Sequence, residues 1–507
     1  MKQKQVPAFA VACSVLLLFC LSGCTNAFMD WILGGKNSAE GPWMGPPGTG
    51  TAGDPFIVWN VETLQKVGTG EDGWNLDAHY RQERHIDMAG VAFTPIGKDN
   101  TAPFTGTYTG QGISNNNERR AILNLAVNNP GADYQGLFGY INGSGGKVIN
   151  VTLINCTITG ESYVAGIVGQ NQGGTVRNSS FTGAVVGTYN NTGGIVGINQ
   201  GGTVDNCSSL GSVTNTIGVY VGGVVGNNDG GTVQNSHSAS IVKGTDYAGG
   251  VAGSNTTSST VLNCYSTGSV TGTGNVGGVV GYNNPATADV KNCYATGAIK
   301  GDRYVGGVVG YNNGGKIENC YSASAVKSDT DCAGGIAGIS MNQYIKNCYS
   351  TGNITGQYDV GGIVGKLQGY GNVEQCYATG TIKGGFNTGG IAGTIESLTT
   401  LSGCIALNKQ IDSPGPDTGR VVGNNVAGGA LLFNYAYEDI QDDTGFVPPW
   451  PFNSTSAKDG DGKTKYDLQN VIGFLTGFDT APWTYKAGWL PGLFGQVVPM
   501  PAYLRLP

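Results

Sequence analysis

Histidine is almost missing from this chain: His79, His85 and His237 are all it has in 507 residues. No His-Glu-x-x-His pair is present to hold a catalytic zinc, and no Gly-x-Ser-x-Gly elbow presents a serine nucleophile, so zinc peptidase and serine hydrolase chemistry have no sequence support. Charge is sparse too, at 12% of residues. Without a basic stripe, an arginine cluster or basic residues interleaved with aromatics, nucleic acid is not an expected partner. Cys-x-x-Cys spacings are absent, and with them the usual zinc frameworks, so neither a metal nor a cofactor is expected. The 88 glycines follow no Gly-X-Y period, which removes collagen.

The one long apolar run lies at the start. Met1-Lys2-Gln3-Lys4 precedes a largely apolar stretch from Val6 to Cys20, too short for a membrane-spanning helix, and then Leu21-Ser22-Gly23-Cys24. This reads as a signal peptide over residues 1–23. The tetrad resembles the bacterial lipoprotein site, which implies cleavage before Cys24 and lipidation of that residue. The alternative is an ordinary cleaved signal beside a chance cysteine. Thr25 rather than aspartate follows, which favours the outer membrane or cell surface. Removing Lys2 and Lys4 leaves 25 basic against 34 acidic side chains, a net charge of −9 that anionic headgroups repel. The expected membrane contact is therefore the lipid on Cys24.

What fills the chain is a repeat. The last glycine of a Gly-hydrophobic-x-Gly core recurs at Gly139, Gly169, Gly197, Gly226, Gly253, Gly281, Gly310, Gly338, Gly365, Gly393 and Gly423, at spacings of 27 to 30 residues. Such a period identifies a solenoid. Apolar runs of four to six residues, rich in Val and Ile and bounded by Gly, Asn, Asp, Ser and Thr, allow short strands and leave no room for long helices. The spacing predicts an all-β parallel β-helix of about 28-residue coils, roughly three strands to a coil. One column reads Val176, Val204, Val233, Val261, Val290, Ile317, Ile345 and Val373, an inward face. The next reads Arg177, Asp205, Gln234, Leu262, Lys291, Glu318, Lys346 and Glu374, an outward one. An asparagine column from Asn178 to Asn347, ending in Gln375, predicts amide ladders. Paired glycines such as Gly222-Gly223 and Gly306-Gly307 mark corners where φ is positive or no Cβ fits.

This pattern resembles the GLUG repeat family of bacterial surface proteins, through Gly136-Leu137-Phe138-Gly139 and the later Gly-Ile/Val-Val/Ala-Gly cores. Pro95-Ile96-Gly97 and Phe104-Thr105-Gly106-Thr107-Tyr108 match the family's upstream stretch. The resemblance covers most of the mature chain and implies a cell-surface location with an adhesive or scaffolding role. Such repeats also occur in the non-catalytic part of some immunoglobulin-cleaving metallopeptidases, so the fold settles no activity.

Residues 24–53 read as a tether, 54–135 as an amino-terminal cap with the first coils, 136–423 as the repeats and 424–507 as a carboxy-terminal cap dense in aromatics, Phe446 among them. Val61, Leu64 and Val67 at helical spacing after Asn60 predict a short cap helix. Eight cysteines form one column (Cys156, Cys207, Cys264, Cys293, Cys320, Cys348, Cys376 and Cys404) in which Ser179 and Ser236 substitute. The column is expected to hold free, buried thiols packing as small hydrophobes. Asp459-Gly460-Asp461-Gly462 lacks the twelfth-position acid of a calcium loop and is expected to be a solvated turn. The expected function is a lipid-anchored surface adhesin or display scaffold, not an enzyme. The alternatives are a carbohydrate-active enzyme on a β-helix, for which Asp246, Asp302, Asp331 and Asp359 sit at shifting offsets, or a subunit of an envelope assembly.

The candidate partner site is a strip formed by the column after cysteine. Tyr265, Tyr294, Tyr321, Tyr349 and Tyr377 stand there on consecutive coils. Alternation predicts that they point outward, as an aromatic ladder or as a contact surface for host or matrix glycans or proteins. On this reading serine replacements at Tyr294, Tyr321 and Tyr349 leave the chain folded.

Overall fold

The computed structural model describes residues 45–110 and 120–506, apart from 416, 427, 443, 446, 449, 471–477 and 479. The signal peptide, Cys24 and Phe446 lie outside the described residues. The chain winds as a parallel β-solenoid whose longest sheet takes one strand from each of 14 successive coils, beside sheets of 11 and 10 strands. All-β, parallel and close to 28 residues per coil, this is the predicted architecture.

One coil shows the plan. Thr232–Gln234 joins the 14-stranded sheet, His237–Ser238 and Ile241–Lys243 form a second face, Asp246–Gly249 the 10-stranded sheet and Ala252–Thr256 the 11-stranded one. Five short segments thus replace the three that the period suggests. The second face is one strand in Thr152–Gly160 but broken from His237 onward. There the backbones of successive coils press together: a Cβ on Gly268 would lie 1.9 Å from the Ser240 carbonyl oxygen.

The register is the expected one. Val176, Val204, Val233, Val261, Val290, Ile317, Ile345 and Val373 pair in sequence, each fully buried. On the outward neighbours Arg177 meets Asp205 at 3.1 Å, Lys291 meets Glu318 at 3.7 Å and Lys346 meets Glu374 at 3.1 Å. Such part-exposed pairs each add at most about 1 kcal/mol.

The asparagine column does form a ladder: Asn206 donates to Asn178 at 2.8 Å and Asn292 to Asn263 at 3.0 Å, while Asn235 turns to Asp205. It has a second task. Asn178, Asn263 and Asn292 sit at φ of 52–54°, the left-handed region that asparagine tolerates better than most residues, and the chain turns its corner there. The next residue completes the corner. The backbone N–H of Cys293 donates to Cys320 Sγ at 3.4 Å, and Cys293 Sγ donates to the Lys291 carbonyl at 3.1 Å. Ser236 does the same, accepting from Cys207 N at 3.0 Å and donating to Gln234 O at 2.7 Å. Cysteine and serine interchange because each both accepts and donates, so the column is more than small hydrophobic filling. Burial pushes the Cys156 and Cys207 thiols up to about 12.

A further ladder lies inside. Asn171, Asn199, Asn228, Asn255, Asn283 and Asn312 are fully buried, and each Nδ2 donates up the stack at 2.7–3.0 Å, ending on Ser340. Each of several amides also donates to a turn carbonyl of its own coil, as Asn228 does to Gly231 at 3.0 Å. Asn228→Ala strands the donor of Asn199 and the acceptor of Asn255 in the core. A loss of about 1–3 kcal/mol is expected in denaturant unfolding, and an unchanged midpoint would refute the ladder's contribution.

At the paired glycines it is close approach, not positive φ, that excludes a side chain. A Cβ on Gly306 would stand 1.9 Å from Val309 O, and one on Gly307 would stand 2.0 Å from Gly335 O.

At the amino end, α1 (Val61–Lys66) forms where the spacing predicts it. Asn60 Oδ1 accepts from Thr63 N at 2.9 Å and Thr63 Oγ1 accepts from Asn60 N at 3.0 Å, while Leu64 is buried. The last part of the expected tether belongs to the folded body, since Ile57 N donates to Pro47 O at 2.9 Å. At the other end the coils continue past Gly423: Ala430–Leu432 and Tyr435–Tyr437 still pair with the coil before them. Described residues of the last segment then lie along the side of the solenoid, with Trp483 against Tyr377, Phe494 against Tyr321 and Tyr503 bonded to Leu407 O.

Candidate functional site: two tyrosine faces

Strand pairing places Tyr265, Tyr294, Tyr321, Tyr349 and Tyr377 in one column, preceded by His237. Ring centroids are 4.7–5.1 Å apart and interplanar angles 2–4° from His237 to Tyr377. The rings spend their faces on one another and direct edges and hydroxyls outward. The expectation of an open strip is corrected here. Phe494 lies against Tyr294 and Tyr321 at 6.5 and 5.9 Å, and Trp483 against Tyr349 and Tyr377 at 6.2 and 5.9 Å. Phe478 packs edge-on to Tyr377, whose hydroxyl donates to Pro491 O at 2.6 Å. Tyr503 Oη donates to Leu407 O at 2.6 Å. Tyr349 and Tyr377 are consequently 6% and 0% exposed, while Tyr265, Tyr294 and Tyr321 keep part of their edges open. Burial lifts the Tyr321 phenol to about 12 and holds His237 neutral by lowering its pKa. An aromatic column on the outside is a long apolar stripe, and the aromatic-rich carboxy-terminal segment covers much of it.

A second tyrosine face escaped the sequence reading because two columns build it. Tyr220, Tyr247 and Tyr304 stand two residues before the glycine pair at φ of 49–67°, while Tyr282 and Tyr311 point outward from the adjoining sheet. Tyr220 stacks on Tyr247 at 5.1 Å. Beyond that pair the rings tilt: Tyr247 to Tyr282 at 50°, Tyr282 to Tyr311 at 59° and Tyr311 to Tyr304 at 44°, over 5.1–5.6 Å. All five are partly exposed. Among the described residues no ring of the carboxy-terminal segment lies against them.

Below Tyr304 the column continues in Cys332, the described cysteine outside the corner column, and Asp359. Cys332 Sγ donates to Asp331 Oδ1 at 3.3 Å and faces Asp359 Oδ2 at 3.8 Å. Asp359 Oδ1 also accepts from Asn387 at 2.8 Å and from Thr394 at 2.5 Å. Asp331 and Asp359, which stand at shifting offsets in the sequence, are therefore brought together; carboxylate and sulfur ligand atoms lie within 4.8 Å of one another. Asp459 differs from expectation in another way. It is fully buried, Oδ1 accepting from Arg420 N at 3.2 Å and Oδ2 from Phe452 N at 3.0 Å, and Asp461 pairs with Lys463 at 2.8 Å. The pair closes the last coil rather than forming a solvated turn. Beside it a cleft of about 760 Å³ is lined by Lys383, Asp412, Trp450, Phe452 and Lys458. Its Lys383 and Asp412 neutralise each other at 3.2 Å.

The repeat that these coils match is the GLUG motif. This chain carries that motif at residues 160–186, 188–214, 272–300, 301–327 and 356–383, with further coils of the same plan between and around them. Halomucin of Haloquadratum walsbyi is 34% identical over 134 residues. The match takes in 25% of this chain and 1% of halomucin, so the chain spans a small fraction of that relative. A solved structure, a candidate immunoglobulin A1 protease from Bacteroides ovatus, aligns over 89% of this chain and 95% of its own at 19% identity and a TM-score of 0.26, too loose a superposition to bear on activity.

Proposed function

We propose that the protein is an exported, lipid-anchored scaffold that holds a rigid β-helix at the cell surface as an adhesin or display element and carries out no catalysis. One observation carries the reading: coil after coil, asparagine and tyrosine ladders join neighbouring coils, an arrangement that gives length and stiffness. The Leu21-Ser22-Gly23-Cys24 tetrad supplies the anchor. Cys24→Ser is expected to abolish metabolic labelling with a fatty acid and to release the protein from the membrane fraction; a labelled, sedimenting variant would overturn the anchored reading. The catalytic alternative meets its own test at the Asp331–Cys332–Asp359 cluster. Release of new reducing or unsaturated ends from a polysaccharide panel, lost in Asp331→Asn or Asp359→Asn, would replace the scaffold with an enzyme.

A further inference from the structure

The two tyrosine faces differ in what they offer a ligand. In the flat ladder every inner ring has both faces against a neighbour, so a ligand would meet edges only. In the second face the tilts of 44–59° turn ring faces away from one another, leaving π surface open along three coils. From this geometry we infer that Tyr220, Tyr247, Tyr282, Tyr304 and Tyr311 form a docking surface for an uncharged polysaccharide strand lying along the solenoid axis. The inference rests on the surface-display reading for its setting and goes beyond it in naming the site and the ligand class.

The chemistry of the neighbours fits a sugar. The C–H face of a pyranose packs on an aromatic ring, and its hydroxyls need donors and acceptors beside that ring. Here the part-exposed Asn313 donates through Nδ2 to Tyr282 Oη at 3.3 Å, and Asn227, also part-exposed, accepts the buried Ser254 hydroxyl at 3.1 Å, so amides are interleaved with the rings. Both partners are linear repeats. Coils stack at about 4.8 Å, and an extended glycan presents successive rings at a comparable step, so one strand can engage tyrosines on consecutive coils. Charge selects against an acidic chain. Asp246 adjoins Tyr247, holding its N–H at 2.9 Å, Asp229 stands one coil earlier, and the whole chain is at −7. Arg303, whose guanidinium lies 5.8 Å from the Tyr304 ring, and Lys366, whose charge also reaches the Tyr304 phenol, are set against them, with Asp331 on the acidic side.

The test uses the full-length, detergent-solubilised protein with cellohexaose and mannohexaose as neutral probes and hexagalacturonate as the acidic one, measured by calorimetry. Saturable binding of a neutral hexasaccharide is expected. It should weaken by about tenfold or more in the Tyr247→Ala, Tyr282→Ala, Tyr311→Ala variant, and stay within about threefold of the native value when the three become phenylalanine. Should the alanine variant unfold, Tyr304→Ala at the edge of the face takes its place, with an expected weakening of about threefold or more. Absence of binding to both neutral probes, tighter binding of hexagalacturonate, or binding by the folded alanine variant equal to native would each overturn the site. Lipid labelling at Cys24 is independent of all these outcomes, so the display reading stands or falls separately.

Discussion

Tyr349→Ser together with Tyr377→Ser is expected to detach the carboxy-terminal segment and to lower stability by about 3–5 kcal/mol for each ring, the range for deleting a buried aromatic. Tyr377 is fully buried, bonded through its hydroxyl to Pro491 O and flanked by Phe478 and Trp483, so serine leaves a void with an unpaired carbonyl beside it. Tyr265→Ser at the uncovered end should cost about 1 kcal/mol, the worth of an aromatic pair. Thermal unfolding reads the difference. Limited proteolysis reads the detachment, because Lys486 lies between Trp483 and Pro491 and should become a rapid tryptic site in the double variant. Equal effects at Tyr265 and at the Tyr349–Tyr377 pair would mean that the segment contributes nothing. The expectation that Tyr294, Tyr321 and Tyr349 tolerate serine together is corrected on the same ground, since Tyr349 lies beneath Trp483.

Gly306→Ala should be among the most damaging changes that a single methyl group can make. The added carbon would stand 1.9 Å from Val309 O and 2.8 Å from Gly338 N, backbone atoms of its own coil and the next that cannot rotate away. We expect a loss of about 3 kcal/mol or more, the upper end for overpacking. Gly53→Ala meets no atom within 4 Å and should change stability by no more than about 0.5 kcal/mol. Because each coil touches only its neighbours, the damage should stay local. Hydrogen exchange is expected to accelerate across the coils around Gly277, Gly306 and Gly334 while the coils near Val148 keep native protection. Uniform acceleration would argue against a nearest-neighbour solenoid.

How much of this was legible depended on whether a contact repeats. Val176 through Val373 announced themselves because β-branched residues recur at one offset, and the pairing confirmed the register residue by residue. The Asn178 column was visible as a ladder. Its left-handed corner was not, since the spacing of Asn263 says nothing about φ. Asn199 and Asn228 went unnoticed because an asparagine inside a strand carries the same letter as one at a turn, and only the fold shows which face it takes. The tyrosine ladder was legible and its cover was not: Tyr377 meets Pro491 across 114 residues, a contact made once and therefore outside any period. The second face hid for the opposite reason. One column, Tyr134, Tyr163, Tyr220, Tyr247 and Tyr304, is interrupted by Asn191 and Asn275, and the other holds Tyr282 and Tyr311 ahead of Ile339, so the face is no single unbroken run.

The covering segment also acts as a gauge of length. A solenoid whose coils are interchangeable can gain or lose one of them with little penalty, and coil number drifts freely wherever neighbours are alike. From Tyr294 to Tyr377 that freedom ends, because Phe494 and Trp483 bridge the separation between fixed coils. Deleting one coil there would move Phe494 from Tyr294 and Tyr321 onto Tyr265 and Tyr294, whereas deleting one between Val148 and Val233 would leave both anchors on their own coils. The segment spans four coils of the column, as a caliper would, and sets which tyrosines are covered in that half of the molecule.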